Sequence, residues 1–213
     1  MSDPALIRLY QSRRAPNPRR VNIFLMEKGP EIFDAVEHVE VDIMAGEHFA
    51  EGHTGKAGSH HVPVAELSDG TFLTETVAIC RYIEALHPEP NLMGADPREA
   101  AIIEMWQRRM EFSVLMNIAY VVRHTIPAMQ ALEHAQVPEW GASCVARMEE
   151  ALIGLDRRLQ TSAYVAGDRF TIADITAWVG LDFMRVLKRG APEGCDALAA
   201  WHERLKARPS AAA

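Results

Sequence analysis

Cysteine is scarce. The chain of 213 residues holds three, Cys80, Cys144 and Cys195, widely spaced and without a CxxC pair, so neither a disulfide framework nor a zinc site is indicated. Positive charge is also short: 22 Lys+Arg face 29 Asp+Glu for a formal charge of −7, which disfavours wholesale binding to nucleic acid or to an anionic membrane. No apolar run approaches the roughly twenty residues of a membrane span. The opening stretch carries arginines without the apolar core of a secretory signal, so a cytoplasmic location and no membrane partner are expected. The nine histidines show neither HxxxH nor HExxH, and there is no glycine-rich phosphate loop, so no metal is expected.

What is there is an apolar fraction of 48%, enough for a proper core, and a change of texture along the chain. Residues 7–10 (IRLY) form a short strand, 17–27 a helix with Val21, Phe24 and Leu25 on one face, and 36–42 a second strand, an order that predicts a parallel pair. His87-Pro88-Glu89-Pro90 halts the following helix, because proline removes a donor and restricts its predecessor. Beyond residue 98 the pattern is almost wholly helical, with Ile102, Ile103, Trp106, Met110, Ser113, Val114 and Asn117 at helical spacing. Pro127 marks a kink or restart, and further helices are expected over 139–160, 172–188 and 196–207. The expected layout is an α/β domain (βαβ-ββα) over 1–88, a linker over 89–98 and an all-α domain over 99–213, with a frayed tail at 211–213.

The densest chemistry lies in residues 62–79, VPVAELSDGTFLTETVAI. Val62, Val64 and Leu67 read as a strand, Ser68-Asp69-Gly70 as the turn, Thr71-Phe72-Leu73 as the returning strand, and Thr74-Glu75-Thr76 as the entry to a helix with Val77, Cys80, Ile83 and Leu86 as its apolar stripe. A helix N-terminus has unpaired N–H groups and partial positive charge, so it attracts a carboxylate, while Glu75 answers an ammonium. One zwitterionic ligand end suits both. Further on, Thr171-Ile172-Ala173-Asp174 has the pattern of a capping box, a folding element.

A proline-bearing strand, a hairpin, a Glu-Thr helix entry and an all-helical second half together resemble the cytosolic glutathione transferases over nearly the whole chain. The segment YVAGDRFTIADITAW at residues 164–178 is a second point of likeness. The resemblance implies a thioredoxin-like first domain that binds glutathione as co-substrate, a cis Val62-Pro63 bond turning the Val62 backbone toward the cysteinyl part, and Glu75 and Thr76 at the γ-glutamyl end. It also implies a homodimer, a detoxification role, and a second-substrate pocket for a hydrophobic small molecule, with Met110, Asn117, Tyr120, Arg123 and His124 as candidates.

The first loop departs from the family pattern. Aligning Arg20-Val21 with the arginine-valine pair of serine-type members puts Ala15 where the catalytic serine belongs. Asn17, in Ala15-Pro16-Asn17, resembles the Thr-Pro-Asn segment of bacterial Nu-class enzymes, and its amide is a candidate donor to the glutathione sulfur. The other reading makes Asn17 the N-cap of the first helix with Pro18 at its first position. Ser12 is a further catalytic candidate, three residues ahead of the expected place. Arg14, beside Arg13, either favours a thiolate or is a solvated loop charge. The lead-in KAGSHHVPV offers His61, His60 or Lys56 to the glycyl carboxylate, or leaves them as exposed loop residues. Three functions stay open: conjugation of glutathione to a hydrophobic electrophile, a glutathione-dependent disulfide reductase or peroxidase, and a non-catalytic binding module.

Overall fold

A computed structural model describes residues 3–213. The chain divides into two compact units, one of residues 3–92 with Pro209–Ala213, the other Met93–Arg208. In the first, β1 (Leu6–Gln11), α1 (Pro16–Lys28), α2 (Pro30–Asp34), β2 (Glu37–Glu40), α3 (Glu51–Ala57), β3 (Val64–Leu67), β4 (Phe72–Leu73) and α4 (Thr76–Leu86) follow in order. The sheet runs β2-β1-β3-β4. β1 pairs parallel with β2, Gln11 opposite Glu40, and antiparallel with β3, Tyr10 opposite Val64. β3 pairs antiparallel with β4, Ala65 opposite Leu73. Leu9, Val64 and Ala65 of the sheet, Val21, Ile23 and Phe24 of α1, and Ile79 and Ile83 of α4 are buried together as its core.

Several details differ from the sequence reading, each for a local reason. α1 starts at Pro16 with Ala15 as its N-cap, because a proline with its fixed φ and no N–H fits the first helical position; Asn17 is therefore not the cap. β2 stops at Glu40, since Asp42 turns the chain by accepting from the N–H groups of Met44 and Ala45. α2, α3 and a 3₁₀ turn at Glu47–Phe49 occupy stretches too short for a helical period to show. The expected frayed tail is instead a 3₁₀ turn, Pro209–Ala212, whose buried Ser210 donates to Glu27 of α1. Lys28 is buried, and its ammonium pairs with Glu84 and donates to the Pro90 carbonyl at 2.8 Å, fixing the chain that follows α4.

The second unit is helical: α5 (Pro97–Arg109), α6 (Met116–Thr125), α7 (Pro138–Leu159), α8 (Ile172–Phe183) and α9 (Asp196–Lys206). Asp96 caps α5, accepting from the N–H groups of Arg98 and Glu99. Between α5 and α6 lies one wide π turn, Met110–Leu115, and Pro127 opens a 3₁₀ segment after α6 ends at Thr125. Every residue of α8 from Ile172 to Leu181 is buried. Gly180 lets this central helix approach the π turn, for a Cβ there would lie 3.2 Å from Val114 Cγ1.

The capping box at α8 is present: Thr171 accepts from the Ala173 N–H, and Asp174 accepts from the Thr171 N–H at 3.0 Å. Asp174 also takes the Val165 N–H at 2.9 Å and the Trp201 indole N–H at 3.1 Å, joining α8 to α9 and to the loop before it. Burial pushes its carboxyl up to about 6 despite these donors. A carboxyl raised above its unfolded value contributes most below that value and loses the contribution as pH rises through the folded one. Relative to Asp174→Asn, which cannot titrate, the wild type should therefore lose on the order of 1–3 kcal/mol of unfolding free energy between about pH 4 and 7. Urea unfolding of both proteins across that range measures it, and parallel curves would refute the assignment.

Candidate functional site

The sheet register brings the sequence candidates to one end of the first unit. Because β3 runs antiparallel to both β1 and β4, its start at Val64 lies at the same end of the sheet as the close of β1, beyond Tyr10, and of β4, at Leu73. The first loop, the Val62-Pro63 peptide and the start of α4 thus leave the sheet together. The Val62-Pro63 peptide is cis. Val62 is half-buried and Pro63 buried; among the described residues the Val62 N–H and C=O have no intramolecular partner. An extended peptide ligand can pair with both groups, as a strand pairs with a sheet edge.

Glu75 is the N-cap of α4 but its side chain caps nothing. Its exposed carboxylate is left for a ligand, as are the first-turn N–H groups that an α-helix leaves without acceptors. The Glu75 backbone has φ 66 and ψ 116, a left-handed φ that costs a non-glycine residue about 1 kcal/mol or more. Thr76, the first residue of the helix, is buried. Positive helix end and adjacent carboxylate make a receptor for an amino acid's paired charges.

The first loop is tied down by Glu40 at the end of β2. Its carboxylate accepts from the Arg13 N–H at 3.2 and 3.3 Å and faces the Ser12 hydroxyl at 3.4 Å, so Ser12 is buried with its donor turned toward a carboxylate. Ala15 donates to the Ser12 carbonyl at 2.9 Å. Because positions one and three of α1 are Pro16 and Pro18, which lack N–H groups, Asn17 supplies the one free amide of the first turn. Asn17 is exposed, and its Oδ1 accepts from Arg20 Nη1 at 3.3 Å, leaving the Nδ2 donors for another partner. Arg14 is exposed. Beneath the loop runs a buried polar chain that residue pattern did not signal: Asn22 donates to Gln11 at 2.8 Å, and Gln11 meets His38 Nδ1 at 3.2 Å.

The lead-in to Pro63 is held by histidine. His53 Nε2 donates to the His61 carbonyl at 2.9 Å, and exposed His60 packs on Phe49 at 4.8 Å between ring centroids. The His61 side chain is exposed beside Val62, whereas the Lys56 ammonium is engaged with the Gly52 carbonyl and the Tyr10 ring.

In the second unit the pocket candidates separate by what they bond. Met110 is core, buried in the π turn. Asn117 donates to the carbonyls of Ser113 at 2.8 Å and Phe112 at 3.3 Å, which the wide turn withdraws from α-helical pairing. Arg123 binds the Leu132 carbonyl and Glu133. His124 Nδ1 accepts from the Val137 N–H at 3.1 Å, which assigns the ring proton to Nε2. These three thus carry structural bonds that helical spacing does not reveal. Tyr120 is half-buried, its ring 5.8 Å from Trp140. The three cysteines are buried and form no disulfide, burial raising the thiols of Cys144 and Cys195 and making them poor nucleophiles. Among the described residues no group of three or more His, Cys, Asp or Glu is placed to hold a metal ion.

A mixed four-stranded sheet with flanking helices, a cis-proline at the start of its third strand and an attached helical unit define a thioredoxin-like domain followed by a helical domain. The patterns of the glutathione S-transferase N-terminal domain and of its C-terminal domain match residues 9–91 and 135–204. The chain is 38% identical over 206 residues to glutathione S-transferase 2 of Saccharomyces cerevisiae, covering 95% of this chain and 86% of the yeast protein. It superposes with a TM-score of 0.91 on the crystal structure of Gtt2 from Saccharomyces cerevisiae, at 36% identity over 96% of this chain and 98% of the other. A glutathione S-transferase domain-containing protein of Marinobacter aquaeolei gives a TM-score of 0.91 at 37% identity, over 96% of this chain and 99% of the other. The chain belongs to the glutathione S-transferase family.

The left-handed φ at Glu75 has a measurable effect. Glu75→Gly relieves it while Glu75→Ala keeps it, and the extra unfolded-chain entropy of glycine cancels only part of the gain. The glycine variant should be more stable than the alanine variant by about 0.5–1 kcal/mol in urea unfolding. An alanine variant equal or superior in stability would show that the position is relaxed.

Proposed function

We propose that the protein is a glutathione transferase that joins the glutathione thiol to a hydrophobic electrophile. The observation that carries this reading is the shared end of the sheet, where the unpaired Val62 backbone, the uncapped Glu75 carboxylate and the start of α4 leave together. Val62 pairs with the cysteinyl backbone beside Pro63, the α4 N-terminus with Thr76 takes the γ-glutamyl carboxylate, and Glu75 takes its ammonium. His61 and Arg14 are the exposed basic groups assigned to the remaining carboxylate and to the field around the sulfur.

Activation falls to the first loop. A thiol near its ordinary value of about 8.5 is a few per cent ionised at neutral pH, and lowering it by roughly 2 units takes about 2.7 kcal/mol of preferential stabilisation of the thiolate. Asn17 offers two donors, its backbone N–H and its side-chain Nδ2, at the positive end of α1; hydrogen bonds to an anion of roughly 1.5–3 kcal/mol each are of the right size. Ser12 then acts through Glu40 to hold the loop. Binding both reactants adds proximity to activation. Of the second-substrate candidates, Tyr120 is half-buried and, among the described residues, has no structural hydrogen bond. The same reading takes the protein as a cytoplasmic homodimer.

Asn17→Ala should raise the thiol pKa of bound glutathione by about one unit, seen as thiolate absorbance against pH, and cut kcat/KM with a chlorinated aromatic acceptor about tenfold near pH 6.5. Affinity for S-methylglutathione, which has no thiol, should stay unchanged. An unshifted thiol titration removes Asn17 from catalysis. Glu75→Gln should weaken S-methylglutathione binding at least tenfold, on the order of 1.4 kcal/mol, in calorimetry; unchanged affinity contradicts the γ-glutamyl assignment. Turnover of a small disulfide in place of the aromatic acceptor would favour a reductase, the activity that the Asn17 resemblance also suggests.

A further inference from the structure

Four of the histidines fall within residues 48–61, directly before Val62. His48, in the 3₁₀ turn ahead of α3, is 4% exposed, and its Nδ1 is buried without a hydrogen-bond partner. Its ring lies against Phe49 at 4.0 Å between centroids, tilted by 40°, and Phe49 meets His60 at 4.8 Å and 56°, so His48, Phe49 and His60 form a chain of ring contacts from the turn to the loop before Pro63. The titratable groups that bear on His48 are three more imidazoles, His53 of α3 and His60 and His61 of the loop. Of the carboxylates in the neighbouring sequence, Glu47 accepts from the Asp42 N–H at 2.7 Å, Asp42 accepts from Met44 and Ala45, and Glu51 is exposed at the start of α3. Lys56 of α3 adds positive charge, its ammonium over the Tyr10 ring at 4.8 Å. β4, packed on α3, brings Phe72 and Leu73, neither of them ionisable.

We propose that neutral His48 is a positioning residue for the glutathione grip, and that its protonation opens residues 47–61 and so loosens the approach to Val62. A charged His48 ring would be buried, with three imidazoles bearing on it and no partner for Nδ1. Burial first, then His53, His60 and His61, hold its basicity below the ordinary histidine value. The sign follows: a base depressed in the folded state contributes its full stability above the unfolded value near 6.5 and loses it as pH falls below that value. This inference rests on the reading of Val62 as part of a glutathione site.

Hydrogen exchange of the amides in residues 47–61 tests it, at pH 7.5 and 5.5, for the wild type and for His48→Phe, with and without S-methylglutathione, a probe with no thiol to titrate. Opening coupled to one imidazole proton should lower wild-type protection factors about tenfold across that interval, after correction for intrinsic exchange, and those of His48→Phe less than twofold. S-methylglutathione should raise protection of the same amides in both proteins, by its mass action on the closed state. Wild-type protection that is flat with pH overturns the proposal even if the variant fails to fold, and so does an equal drop in the variant. Protection unmoved by S-methylglutathione anywhere in the chain would overturn the glutathione reading instead, leaving the wild-type comparison to decide the role of His48.

Discussion

Strand pairing between β1, β3 and β4 decides where three unrelated stretches of chain finish, and the first unit's chemistry depends on that coincidence of endings. A strand that stops leaves its next backbone groups unpaired, and a helix that starts leaves its first N–H groups without acceptors. Here both kinds of opening occur at one end of one sheet: Val62 before β3, Glu75 and Thr76 after β4, and Ser12 to Asn17 after β1. A shift of one residue in the β3 register would move every β3 side chain to the opposite face, exchanging the sides of Val64 and Ala65, and would displace Val62 along β1. The buried faces that fix the register for stability therefore also fix which open backbone groups meet at that end of the sheet.

The same economy shows in the polar side chains. Glu40 ends β2 and holds the loop after β1; Asp174 caps α8 and accepts the indole of Trp201; Lys28 pairs with Glu84 and fixes the chain beyond α4. Asp174 and Lys28 are buried and Glu40 is exposed, and each bonds to chain beyond its own element, so each holds a junction in place rather than a single turn. Around Val62 the pattern is reversed, with donors and acceptors left open. That contrast between a satisfied interior and an open edge is what makes the end of the sheet the candidate site.

Sequence period revealed the layout because apolar residues recur wherever an element is long enough to bury a face. The hairpin at Ser68-Asp69-Gly70 was legible for the same kind of local reason: the turn closes with the Gly70 N–H on the Leu67 carbonyl and the Thr71 N–H on Asp69. So was the capping box, whose partners lie three residues apart. What period could not show were partners distant in sequence. Asn117, Arg123 and His124 read as polar residues free for a ligand, yet their bonds go to carbonyls and an N–H exposed by a π turn and a long loop. Asn17 was legible as a candidate from its residue type, but its place as the one free amide between two prolines depended on the helix starting at Pro16. The chain of ring contacts from His48 through Phe49 to His60 joins rings twelve residues apart from end to end and left no signal in the pattern.

A titration of the nitrogen-15-labelled chain with S-methylglutathione, followed by amide chemical shift, asks directly whether the shared end of the sheet is the ligand's place. The amides of Val62, Thr76, Val77 and Asn17 should move together along one saturating isotherm, with the α9 amides unmoved. Shifts that spare Val62 and Thr76, or that cluster away from the ends of β1, β3 and β4, would contradict a glutathione grip built from that register.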